Sequence, residues 1–310
     1  TGDWDADSLG NHRVKIELKK SGELASCQIA WRRKDLNPGQ KGMILVSEQS
    51  GKRVHNLLVE EAIQEEGRIV FEAIDGPGIY FLYYLPHVMS GSANYPTVNY
   101  LAPQLPKAPG FAAGKKTVKA KALEMQAIND FHSFYPMEVV ATEAEINKFL
   151  KKVGERDFVI FPEDRLHPIK MWNRLPKRWV DQGLRDKFSA QVQKNESFAF
   201  QLGVWAHENS IEDIDIQYSS LKSKAGASIA ASAFSCYNKQ GVDWTGEDLI
   251  KTISVEKGQI QALWMGISFP ATVKPGLYTG TVTVAPKNME KQKISLSIEV
   301  LDSYLDDRGD

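Results

Sequence analysis

The chain has 310 residues, 25% of them charged and 42% hydrophobic, with a formal net charge of −1 and a pI of 6.6. That length suits about two domains, each able to bury its own core. The balanced charge leaves no basic surplus to neutralise phosphates, so nucleic acid is not an expected partner.

The first hundred residues predict strands. HRVKIEL (12–18) alternates, with Val14, Ile16 and Leu18 on one face, and ASCQIAW (25–31) groups Cys27, Ile29 and Trp31. MILVSEQSGKRVHNLLVEEAI (43–63) reads as two strands around a turn at Gly51, and GRIVFEAI (67–74) follows. In GPGIYFLYYLPHV (76–88), Pro77-Gly78 suits a turn before an apolar strand. Its apolar run, Ile79 to Leu85, is far short of the roughly 20 residues that a membrane-spanning helix needs.

Residues 89–116 are rich in Pro, Gly and small residues, as a connection between domains should be. The expected organisation is an N-terminal β-sandwich over 1–106, a linker over 107–116, and a second β-sandwich over 117–302. The second opens with TVKAKALEMQAI (117–128), whose Lys119 and Lys121 mark a solvated face. The capping box Thr142-Glu143-Ala144-Glu145 then begins a helix over 142–153, which Gly154 stops.

A long irregular segment precedes the strands SFAFQLGVWA (197–206), IEDIDIQY (211–218), ASIAASAFSCY (227–237), QIQALWMGISF (259–269), TGTVTVAP (279–286) and QKISLSIEV (292–300). KPGLY (274–278) echoes GPGIY (76–80), which suggests one device for entering a late strand in each half. Strands do not alternate with helices of ten to fifteen residues. The fold class is therefore mainly β, two sandwiches in tandem, the second with one short helix and a long irregular insertion.

The two cysteines, Cys27 and Cys236, fall one in each half and read as buried free thiols. The six histidines are scattered, at positions 12, 55, 87, 132, 167 and 207. No HxH, HExxH or Cys/His spacing calls for a metal, and no phosphate loop, dinucleotide fingerprint or nucleophile elbow calls for a cofactor.

Three features invite a functional reading. In FPEDRLHPIKMW (161–172), an extended backbone sends Glu163 and Asp164 to opposite faces. They cannot then straddle one scissile bond, as a glycosidase pair must. Glu163, Asp164 and Arg165 are expected to form a structural brace, with Arg165 paired to one of the two acids. In GVDWTGEDL (241–249), Gly241 and Gly246 bracket Asp243 and Trp244. That loop could present its indole to a sugar ring or pack it back on the sheet. Among the other tryptophans, Trp31, Trp205 and Trp264 lie on apolar strands and are expected in cores. Trp172 and Trp179 lie in the irregular segment and are freer to face solvent. Trp172, Trp179, Asp243 and Trp244 are the carbohydrate-binding candidates; no catalytic residue can be nominated.

Several stretches together resemble one family: LGNHRVKIEL (9–18), IAWRRKDLNPGQKGMILV (29–46), GPGIYFLYYLP (76–86), FPEDRLHPIKM (161–171), NESFAFQLGVWA (195–206), GVDWTGEDL (241–249), ALWMGISFP (262–270) and KPGLYTGTVTV (274–284). They are similar to the N-terminal region of proteins related to glycoside hydrolase family 123, common in Bacteroides-like gut bacteria. The resemblance implies two β-sandwich modules placed before a separate (β/α)-barrel. In the family's hydrolases, similar to β-N-acetylgalactosaminidases, an adjacent Asp-Glu pair on that barrel supports substrate-assisted cleavage. The dipeptide Asp-Glu occurs nowhere in this sequence, so no family catalytic residue carries over.

The implied function is therefore a non-catalytic support for a larger glycan-directed protein, the alternative being a stand-alone carbohydrate- or protein-binding surface module. The implied partner is a catalytic domain following a connection that starts over 303–310, with glycans as possible ligands. The implied location is secreted, periplasmic or cell-surface, although TGDWDADS at the start lacks the basic and apolar regions of a signal peptide.

Overall fold

The structure, a computed structural model, describes residues 1–134 and 136–306. It is mainly β and divides into two compact units, Thr1–Thr142 and Glu143–Asp310.

In the first unit a short helix α1 (Ala6–Leu9) precedes β1 (His12–Leu18), β2 (Leu24–Ile29), β3 (Met43–Ser47), β4 (Arg53–Val54), β5 (Leu57–Ala62) and β6 (Gly67–Glu72). Then come β7 (Gly78–Tyr84), β8 (His87–Ser92), β9 (Tyr95–Tyr100), β10 (Val118–Lys119) and β11 (Lys121–Ala127). Two sheets form, in the orders β11-β1-β7-β3-β4 and β10-β2-β6-β5, and β8-β9 is a separate ribbon. The alternation read in β1 holds: Val14, Ile16 and Leu18 are buried with Ile29, Phe71 and Leu82 in one core.

The expected boundary needs correction. Residues 117–128 do not open the second sandwich. They supply an edge strand to each sheet of the first, β11 pairing antiparallel with β1 and β10 parallel with β2. The 107–116 segment is tied to this same unit. Lys107 and Ala108 donate backbone N–H groups to His55 and Asn56, and Lys115 pairs with Glu23. A Pro/Gly-rich stretch reads like a linker whether it joins two units or straps across one.

The second unit runs α2 (Glu143–Val153), β12 (Val159–Glu163), α3 (Lys177–Gln182), β13 (Lys187–Lys194), β14 (Ser197–Trp205), β15 (Asp215–Tyr218), β16 (Leu221–Ser223) and β17 (Ser228–Ile229). It continues through β18 (Phe234–Cys236), β19 (Gln240–Val242), β20 (Asp248–Ile250), β21 (Ile260–Ser268), β22 (Gly276–Ala285) and β23 (Gln292–Tyr304). One sheet has the order β12-β14-β21-β18; the other is β13-β23-β22-β16-β17, with β15 also on β22. Their facing side chains, including Phe200, Leu202, Leu263, Met265, Val282 and Ile298, form one core. The segment expected to be irregular supplies both a strand, β12, and a second helix, α3. The strand β23 ends at Tyr304, and residues 307–310 of the expected connection lie outside the described residues.

The two Pro-Gly-x-Tyr turns are the same device. The Tyr80 hydroxyl donates to the Gly76 carbonyl at 2.8 Å, and the Tyr278 hydroxyl to the Lys274 carbonyl at 2.9 Å. Each buried phenol thus ties its strand back to the turn that launched it, as a tyrosine corner does. Gly276 takes φ +138°, which a residue with a Cβ rarely adopts. Cys27 and Cys236 are buried free thiols, one in each core, and burial pushes the Cys27 thiol up to about 11.

Candidate functional site

The sheet β12-β14-β21-β18 has one face in the core of the second unit. Its other face carries Val159, Phe161 and Glu163 on β12, then Ala199, Gln201, Gly203 and Trp205 on β14. On β21 that face carries Ala262, Trp264, Gly266 and Ser268. Of the sequence candidates, Glu163 and Trp179 bear on this outward face.

Over β12 and β14 the face is roofed. Phe149 of α2 lies 5.9 Å from Phe161 and 6.5 Å from Trp205, centroid to centroid. Trp179 of α3 stacks on Phe161 at 4.3 Å with ring planes 8° apart. Gly203 makes room for it, because a Cβ there would run into the indole. Trp179, nominated as a carbohydrate-binding candidate because its segment leaves it freer to face solvent, is fully buried. The short helix α3 gave no sequence signal of the surface it would cover.

Glu163 is the hub beneath this roof. It is buried, and its Oε1 accepts from Arg178 Nε at 3.0 Å, Trp179 Nε1 at 3.0 Å and Arg185 Nη2 at 3.3 Å. Arg185 Nη2 also donates to the Pro162 carbonyl at 2.5 Å. Gln201, buried in the next strand, accepts from the Ile169 backbone N–H and donates to the Asp164 carbonyl. These bonds pin the 164–169 crossing and α3 to the sheet.

The partners of Glu163 differ from those expected of a brace with Asp164 and Arg165. Arg165 pairs with neither neighbouring acid; its Nη1 donates to Glu196 Oε1 at 3.0 Å. Glu196 is buried, and its other oxygen takes the Gln193 backbone N–H. Asp164 points outward and accepts from the Leu166 backbone N–H and His167 Nδ1, each at 2.8 Å.

Among the described residues, Glu163, Asp164 and His167 form a group whose possible ligand atoms lie within 4.8 Å of one another. Arg178 and Arg185 already bring two positive charges to Glu163, which is what a cation would supply. The arrangement works as an ion-pair hub, with no acid and base opposed across a cleft.

The 241–249 loop is the tip of the β19–β20 hairpin. Asp243 Oδ1 accepts from the Thr245 hydroxyl at 2.6 Å and from the Thr245 and Glu247 backbone N–H groups. Those hydrogen bonds, the Thr245 hydroxyl first, hold its carboxyl below the usual carboxylate range. Asp243 therefore builds the turn. Trp244 is 95% exposed, so of the two alternatives for this indole, packing back on the sheet is not realised.

Over β21 and β18 the face is bare. Trp264, expected in the core, is 36% exposed, and Tyr237, which the sequence did not single out, is 56% exposed. The Tyr237 backbone N–H donates to the Trp264 carbonyl at 2.8 Å, continuing the β18–β21 ladder and setting the two residues side by side. A Cβ at Gly266 would run into the Tyr237 phenol and the Ser235 hydroxyl, so the phenol lies down across Gly266. Trp172 is 55% exposed, and its carbonyl receives the Ile260 N–H at the start of β21. The sequence did carry a signal for this. Leu263, Met265 and Ile267 alternate into the core, which leaves Trp264 and Gly266 on the opposite face.

Comparison with known proteins gives no match among the curated ones. One solved structure with a similar region is a family 123 glycoside hydrolase from Clostridium perfringens, described for glycolipid glycan hydrolysis. Its identity is 16% and its TM-score 0.33, over 38% of this chain and 23% of that one. This chain thus matches under a quarter of the length of that enzyme. A PapD-like domain of human CEP192 has 14% identity and a TM-score of 0.27, over 38% of this chain and 83% of that one. A type I cohesin of Pseudobacteroides cellulosolvens has 10% identity and a TM-score of 0.19, over 41% of this chain and 94% of that one. The first sandwich gives the specific result: residues 2–129 match the family model described as the glycoside hydrolase 123 N-terminal domain.

Proposed function

We propose that this chain is the non-catalytic β-sandwich portion of a larger glycoside-hydrolase-like protein that acts on complex glycans. The observation that carries the reading is the match of residues 2–129 to the glycoside hydrolase 123 N-terminal domain. The commitment of Glu163 to three donors agrees with it, since the buried acid of the 161–172 segment is spent on structure. Its partner would be its own catalytic domain, and its place would be the periplasm, the cell surface or outside the cell. Two measurements test this. The purified chain should not turn over aryl N-acetylhexosaminides, and turnover would overturn the reading. The native coding sequence beyond residue 310 should encode a further domain with an adjacent acidic pair. A stop codon directly after residue 310 would contradict it.

A second reading, a stand-alone carbohydrate- or protein-binding module, is favoured by Trp244 standing exposed at a hairpin tip. It predicts glycan affinity that is lost in Trp244→Ala.

A further inference from the structure

The bare half of the outward sheet face has a composition unlike the rest of the chain. Its strand positions are Ala262, Trp264, Gly266 and Ser268 on β21, and Ser235 and Tyr237 beside them. None is charged, in a chain where 25% of residues are. Two aromatic rings stand on a floor of small residues, and Gly266 lets one of them lie flat on the sheet. Serine hydroxyls border the rings.

We propose that this half-face, centred on Trp264 and Tyr237, is a binding platform for an uncharged oligosaccharide. The choice of a sugar rests on the glycan-directed reading above; the location rests on the geometry alone. A pyranose ring presents one face of C–H bonds, which packs on the electron-rich face of an indole or phenol, and an edge of hydroxyls, which needs polar neighbours. Flat rings beside hydroxyls, with no charge to desolvate, match both requirements. Neither β18 nor β21 carries a cation for an anionic polymer or for the headgroups of a membrane surface. Of the other exposed indoles, Trp172 and Trp244, the second stands at a hairpin tip that also carries Asp243, Glu247 and Asp248.

The platform is tested by following the indole N–H signals by NMR while N,N′,N″-triacetylchitotriose or cellotriose is added to the full chain. The expected result is a saturable shift of the Trp264 signal with at least one sugar. Trp264→Ala and Tyr237→Ala should each weaken binding by about tenfold or more, with unfolding midpoints preserved. Trp244→Ala should bind as the parent does. Three results would overturn the platform: no shift at millimolar sugar, binding that Trp264→Ala leaves intact, or a concentration-dependent dimer that Trp264→Ala abolishes. The last would give the face to a second copy of the chain. Each leaves the non-catalytic reading standing, because that reading is tested by turnover and needs no affinity.

Discussion

Trp179 and Trp264 lie over the same face of the same sheet, above neighbouring strands, and meet opposite fates. Trp179 comes in from outside the sheet, stacks on Phe161, settles over Gly203 and gives its N–H to Glu163. Trp264 grows from the sheet itself, opposite Gln201, and remains partly exposed. The same residue type seals a third layer in one place and leaves an open aromatic surface in the other. What separates them is the roof formed by α2, α3 and the crossing pinned by Gln201. A tryptophan's role is thus set by what covers it, and here the cover comes from residues 143–186.

The largest effects are expected under that roof. Glu163→Gln keeps the shape but leaves Arg178 and Arg185 without their carboxylate, and should cost about 3–5 kcal/mol in denaturant unfolding. A loss below about 1 kcal/mol would mean that Glu163 is no hub.

Next comes a contrast between two glycines. Gly203→Ala drives a methyl into the buried Trp179 and should cost about 1–3 kcal/mol. Gly266→Ala meets the exposed Tyr237 phenol, which can swing away, and the Ser235 hydroxyl, which can turn aside, so its cost should stay within about 0.5 kcal/mol. Equal losses would dissolve the distinction between the covered and bare halves.

Arg165→Ala is expected to be mild. The guanidinium is more than half exposed where it meets Glu196, so the pair should contribute about 1 kcal/mol or less. A loss as large as that of Glu163→Gln would move the brace to Arg165.

The first sandwich supplies a pH contrast with the second. Burial, together with the nearby His132 and Arg33, lowers the pKa of His12 below the ordinary histidine value, despite the opposing hydrogen bond to the His132 carbonyl. The unfolded chain therefore binds this proton more readily. The contribution of neutral His12 is complete above about pH 6.5 and is lost as pH falls from there through its depressed folded value. Unfolding followed against pH should show this loss in the parent and a flatter profile in His12→Asn. Identical profiles would contradict it.

Local rules read from sequence were realised wherever one element decides its own outcome. The alternation of β1, the helix beginning at Glu143 and the paired Pro-Gly-x-Tyr turns are of this kind. The differences at Arg165 and at residues 117–128 concern which distant residue arrives. Arg165 is expected beside a neighbouring acid, but it sits in the 164–167 turn, where Asp164 is taken by Leu166 and His167, and its partner Glu196 comes from the turn before β14. Residues 117–128 have the pattern of a strand, yet nothing in that pattern names β1 and β2 as its partners. For Trp264 the residue type points to the core, whereas the period-two alternation of Leu263, Met265 and Ile267 around it points to the opposite face, which is the one it takes. Tyr237 follows a three-residue edge strand, too short for periodicity to speak.

The most direct test of the covered-and-bare account compares Trp179→Ala with Trp264→Ala in one unfolding experiment. The account predicts a loss of about 3–5 kcal/mol for Trp179→Ala, where the stacked roof is hollowed out, and about 0.5 kcal/mol or less for Trp264→Ala. Similar losses in the two, or a larger one for Trp264→Ala, would contradict it.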